Sequence, residues 1–164
     1  MKVWGVVGWK NSGKTGLMER LVTEIAGRGL SVSTLKHAHH SFDVDHAGKD
    51  SYRHREAGAT EVLLASRNRW ALMHEMRGAD EEPMEALLAR LSPVDLVLVE
   101  GYKRDRHPKI EAHRSATGNP LIATDDPTVR AIASDSGAEA QGRPTFHLDD
   151  TAAIADFILG ELGL

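Results

Sequence analysis

The chain contains no cysteine in 164 residues. That excludes a disulfide framework and any thiolate metal site. It also lacks an apolar stretch long enough to span a bilayer and a secretory leader with its apolar centre, so a cytoplasmic location is expected and a membrane partner is not. Charge of one sign is scarce as well: 24 acidic residues against 20 basic ones leave a net charge of -4. Without a global positive field, nucleic acid is not an expected partner. Repeats and low-complexity linkers are absent. The 41% hydrophobic content suffices for a sizeable core, and one domain over residues 1–164 is the simplest organisation.

Against these absences stands a strong local signal. Gly8 to Thr15 read Gly-Trp-Lys-Asn-Ser-Gly-Lys-Thr, which fits GxxxxGK[ST] at every fixed position. In such a phosphate-binding loop, glycines let the backbone aim N–H groups at phosphate oxygens. The lysine reaches the terminal phosphates and the hydroxyl ligates Mg²⁺. The context agrees: the apolar run Val3 to Val7 precedes the loop, and Leu17, Met18, Leu21, Val22 and Ile25 follow at helical spacing. A helix starting near Gly13 directs its positive end at an anion. The candidate nucleotide contacts are therefore Gly8, Asn11, Ser12, Gly13, Lys14, Thr15 and Gly16.

Short apolar strands alternate with helical patterns along the rest of the chain, which favours a mainly parallel sheet flanked by helices. Strands are expected at Ser31 to Leu35, Leu96 to Val99, Leu121 to Ala123 and Val129 to Ala133. Helices are expected at Lys49 to Ala57, from Pro83 through Leu91, and at Ala152 to Leu162. Glu61 to Ala65 and Trp70 to Met73 read as a β-hairpin extension.

Three further segments carry chemistry. Glu100 ends the most apolar strand, where phosphate-loop proteins place a carboxylate in the Mg²⁺ shell. Asp95, at the opposite end, suits a turn or cap. Asp43 and Asp45 are two residues apart and share a face if extended, so both could approach a metal or its waters. His37, His39 and His40 lie just before them; loop histidines are usually solvated, and a transition-metal site is the sharper alternative. Two basic groups remain: Lys49, Arg53 and Arg55 on one helical surface, and Lys103, Arg104, Arg106 and Lys109 in the loop after Glu100. Each is either a solvated face or an anion-recognising one, and the second lies on the ligand-binding side of an open sheet.

Together the Gly8 to Thr15 loop, the stretch from Lys36 to Asp45, Gly48-Lys-Asp-Ser, Arg53 to Gly58, Leu96 to Lys103 with its Val-Glu-Gly-Tyr-Lys, and Pro108 to Glu111 resemble the molybdopterin-guanine dinucleotide biosynthesis protein B family. The resemblance runs from the first strand to at least Asp135. It implies a P-loop NTPase-like fold and a GTP- and Mg²⁺-binding adaptor that assists the enzyme attaching GMP to molybdopterin. It further implies feeble hydrolysis, a homodimer, molybdenum cofactor guanylyltransferase as partner, and molybdopterin as a ligand to consider. Carried over, Lys14 and Thr15 serve the phosphates and Mg²⁺, Glu100 the second acidic position, and Asp43 and Asp45 a switch-like region. Gly16 stands where the family usually has a second threonine, and Ala47 where it has proline.

Guanine selection has no motif of its own, because no Asn-Lys-x-Asp stretch occurs. Asp125 and Asp135, near expected strand ends, are the candidates, with turn formation as their ordinary role. Nor does a glutamine stand near the switch-like segments, the only one being Gln141. Slow hydrolysis by the isolated chain is expected on that ground. Two other classes share the loop. A small-molecule kinase needs a base, which Asp43 or Asp45 offers; a metal-delivery GTPase draws on the histidines but lacks a cysteine motif.

Overall fold

The structure, a computed structural model, describes residues 1–38, 42–138, 140 and 142–164. These fall into two compact units, 1–37 with 88–164, and 38–87. No helix among the described residues is long and apolar enough to cross a membrane.

The larger unit is built on a six-stranded parallel sheet. In chain order its elements are β1 (Lys2–Val7), α1 (Lys14–Gly27), β2 (Val32–Lys36), β5 (Leu96–Glu100), β6 (Lys109–His113), β7 (Val129–Ser134), β8 (Thr145–His147) and α4 (Thr151–Leu162). The spatial order is β2-β5-β1-β6-β7-β8, so the strand that feeds the glycine-rich loop is central and flanked by β5 and β6. Register places Val6 beside both Glu100 and Ile110. Every strand pair in this sheet is parallel.

Alternation along β1 and β6 explains the two faces. Trp4 and Val6 with Ile110 and Ala112 point to one side, where Leu17, Leu21, Ile25, Ile154 and Ile158 of α1 and α4 bury them completely or nearly so. Each such buried aliphatic side chain contributes about 1.5–3 kcal/mol. On the opposite side β6 presents Lys109, Glu111 and His113, all buried. The chain from 101 to 108 crosses that side close to β1: a Cβ on Gly5 would collide with the His107 ring and stand 2.8 Å from Lys109 Cβ. Glycine is needed there for the close approach.

At the opposite edge of the strands, Asp95 Oδ2 accepts from Ser31 N at 2.8 Å and from Ser31 Oγ at 2.6 Å. These bonds hold its carboxyl below the usual range and tie the starts of β2 and β5 together. Asp150 caps α4, accepting from Ala153 N at 3.2 Å.

The smaller unit contains α2 (Asp50–Glu56), the antiparallel pair β3 (Glu61–Ala65) and β4 (Trp70–His74), and all but the last residue of α3 (Met84–Leu88). Arg55 organises it, reaching Asp43 Oδ2 at 2.9 Å, Glu75 Oε1 at 2.9 Å and Asp45 Oδ2 at 3.5 Å.

Two expectations are corrected. Leu121 to Ala123 is not a strand: Ile122–Thr124 form a 3₁₀ turn, because the Glu111 carboxylate accepts from the N–H groups of Ile122 at 2.9 Å and Ala123 at 2.8 Å. Lys109 does not belong to an exposed basic cluster. It starts β6 with no solvent exposure and bonds to Thr128 Oγ1 at 2.8 Å and the carbonyls of Lys103 and Asp105. Strands β6 and β8 were not foreseen.

Candidate functional site

The loop between β1 and α1 turns on backbone angles that side chains disfavour. Gly8 has φ 151° and Gly13 φ 93°, and Asn11 adopts φ 65°. A Cβ at Gly8 would run into Ser12 Oγ and the Ala112 carbonyl, so alanine there has no room as well as the wrong conformation. Leu17 N donates to Gly13 O at 3.0 Å, which starts α1, and Ser12 N donates to Trp9 O at 3.3 Å within the loop. Ser12 is 2% exposed and its Oγ has no hydrogen-bond partner. A buried unpaired hydroxyl is costly, by about 1–3 kcal/mol. A phosphate oxygen brought into the loop could accept from it.

Lys14 Nζ donates to Trp9 O at 2.7 Å, which folds the ammonium back over the loop. Burial lowers its pKa, with Lys103 and Lys36 adding to the effect and Glu100 opposing it. Thr15 Oγ1 and Glu100 Oε1 converge to 3.5 Å, and Lys36 Nζ stands 3.4 Å from the same carboxylate oxygen. Neighbouring oxygens in an octahedral Mg²⁺ shell of radius about 2.1 Å lie about 3 Å apart. The hydroxyl and carboxylate therefore fit shared service to that ion. A groove of about 450 Å³ between α1 and β2, lined by Thr15, Met18, Val22, Thr34, Lys36 and Glu100, opens onto this pair.

Trp9 connects the loop to its surroundings. Its indole N–H donates to Pro120 O at 2.7 Å, and Lys103 Nζ lies 4.3 Å from the ring centroid. A cation–π contact at an exposed site contributes about 0.5–1 kcal/mol, enough to orient a lysine and weak enough to release it. Next to Glu100, Gly101 (φ 98°) and Tyr102 (φ 49°) turn the chain sharply, and His37 stacks on Tyr102 with centroids 4.7 Å apart.

The other sequence candidates fall elsewhere. Gly16 lies inside the first turn of α1. Asp43 and Asp45 belong to the smaller unit, where Arg55 and the Asp45 amide draw on the Asp43 carboxylate and lower its pKa, the amide most strongly. Asp45 also accepts from Ser51 Oγ at 3.0 Å. Asp125 ends the 3₁₀ turn, and Asp135 accepts from Ser115 N at 2.9 Å, the main cause of its lowered pKa. His39 and His40 lie outside the described residues, and among the described residues no group of three or more His, Asp or Glu is placed to hold a metal. Sequence reasoning gave no role to Trp9, nor to His113, whose ring meets Ser134 Oγ at 3.2 Å. The period-two sequence Lys109-Ile-Glu-Ala-His113 was the available signal for the buried polar strand.

A glycine loop on the central strand of a parallel sheet, lysine and threonine opening the following helix, and an acid ending the adjacent strand define a P-loop NTPase-like protein. Residues 3–135 match the family described as molybdopterin guanine dinucleotide synthesis protein B, and the chain belongs to that family. It is 40% identical over 154 residues to the molybdopterin-guanine dinucleotide biosynthesis adapter protein of Haemophilus influenzae, covering 94% of this chain and 85% of that one. The Escherichia coli adapter protein is 38% identical, with 92% and 87% covered. The crystal structure of Bacillus subtilis MobB superposes with a TM-score of 0.76 at 27% identity, over 99% of this chain and 98% of that one.

Proposed function

We propose that the chain, acting as one GTP-binding domain over residues 1–164, is an accessory protein of molybdenum cofactor biosynthesis that assists attachment of GMP to molybdopterin. Its partner in this reading is molybdenum cofactor guanylyltransferase, with molybdopterin as a further ligand, and it works as a homodimer in the cytoplasm. The observation that carries the reading is the convergence of Thr15 and Glu100 beside Lys14 in a loop whose family relatives are named as adapters of this synthesis.

GTP's phosphates would lie in the loop from Gly8 to Gly16, against the amides and Ser12 Oγ, with Lys14 leaving Trp9 O to meet them. Mg²⁺ would take Thr15 and Glu100 and would neutralise phosphate charge; Asp43 and Asp45 are proposed separately as the switch-like acidic residues of the smaller unit. Asp125 and Asp135 are the carboxylates for guanine. Competition between GTP and ATP for the Mg²⁺-loaded chain tests the nucleotide. GTP is expected to displace ATP at much lower concentration; equal competition removes the guanine assignment, and failure of both to bind removes the site.

A further inference from the structure

Lys103 is held more firmly than a surface loop lysine. Its backbone carbonyl accepts from the buried Lys109 ammonium at 3.3 Å, and the same ammonium holds Asp105 O, so the turn after Tyr102 is pinned to the start of β6. Its side chain is directed back over the phosphate loop, with Nζ 4.3 Å from the Trp9 ring centroid. The same Trp9 supplies the carbonyl that holds Lys14 Nζ at 2.7 Å. One residue of the loop therefore orients two ammonium groups, and a third, Lys36, stands at Glu100. Like charges gathered in one place repel each other: burial first lowers the pKa of Lys14, and Lys103 and then Lys36 add to that while Glu100 opposes it. Such a cluster is relieved by a polyanion.

We propose that Lys103 is a second polyphosphate-binding cation of this site, positioned by the Trp9 ring, and that it meets the same terminal phosphates as Lys14. The inference rests on the nucleotide-binding reading above and adds a contact supplied from outside the GxxxxGK[ST] loop. Pinning by Lys109 fixes the backbone of Lys103, while the weak ring contact lets its ammonium move from indole to phosphate when the nucleotide arrives. The indole N–H bond to Pro120 O keeps the ring in place from its other edge.

Calorimetric titration of Mg²⁺-GTP into wild type, K14A, K103M, K103R, W9L and the W9L/K103M pair tests this. K103M is expected to weaken binding about tenfold, the size of a lost charge-assisted hydrogen bond, and to flatten the fall of affinity with added salt. K103R should recover most of the affinity, which loss of mere packing would not require. W9L should weaken binding in the same direction, and the double variant should fall short of the product of the single effects. Wild-type affinity and salt dependence in K103M, with K14A impaired, would overturn the role of Lys103 and leave the phosphate loop standing. Unchanged binding in K14A would overturn both readings. Independent, multiplicative losses in W9L and K103M would overturn the positioning by Trp9.

Discussion

Lys14 and Thr15 are adjacent in sequence, yet their environments assign them different work. Lys14 is partly buried, turned onto Trp9 O, and crowded by other ammonium groups. Thr15 faces the Glu100 carboxylate instead. Lys14→Ala is therefore expected to weaken nucleotide binding with or without metal, because it removes a cation from the phosphates directly. Thr15→Ala should lower affinity mainly when Mg²⁺ is present, because what it removes is a metal ligand. Titrations with Mg²⁺ and with a chelator separate the two; an equal, metal-independent loss in both would detach Thr15 from the ion. These residues were legible in the sequence because the loop is local: eight consecutive residues carry its chemistry. Lys103 was legible only as one of a basic group on the ligand-binding side, and its meeting with Trp9 was not, since that depends on β5 and β1 lying side by side.

At the level of elements, the apolar periodicity of α1 and α4 and the continuous run of β5 were readable because burial on one face, or on both, leaves its period in the sequence. Strand β6 hid itself. Both its faces are buried, and one of them is Lys109, Glu111 and His113, residues whose usual place is the surface; partners on both sides of the strand in sequence, the Lys103 and Asp105 carbonyls, the Ile122 and Ala123 amides, Thr128 and Ser134, make that burial tolerable. Burial raises the pKa of Glu111 in spite of the two amides it accepts from. The same carboxylate turned the expected strand at Leu121 into a 3₁₀ turn, a tertiary effect that no local propensity reports. The hairpin β3–β4 was legible, and its composition has a consequence for association. Leu63, Leu64, Trp70 and Leu72 are 63%, 54%, 66% and 46% exposed. Apolar strands with such exposure seek a partner. The hairpin is expected to contribute to self-association, so that Trp70→Lys with Leu72→Lys shifts sedimentation toward the monomer. A wild-type chain that is monomeric at every accessible concentration would contradict this.

At the scale of the whole molecule, the proposed reading expects the nucleotide to be held and turned over slowly by the chain alone. Rapid hydrolysis needs a residue that orients water and usually an arginine that neutralises developing charge. In the smaller unit Arg55 is engaged by three carboxylates, and the single glutamine of the chain, Gln141, lies outside the described residues. In the proposed reading the chain acts through a bound nucleotide and a partner, and rapid hydrolysis is not part of that role. The most direct measurement is the rate at which the guanylyltransferase joins GMP to molybdopterin, with and without this chain, wild type or Lys14→Ala. The expected result is stimulation by the wild type and its loss in Lys14→Ala. An unchanged rate with the wild-type chain present, or equal stimulation by Lys14→Ala, would contradict a GTP-dependent adaptor.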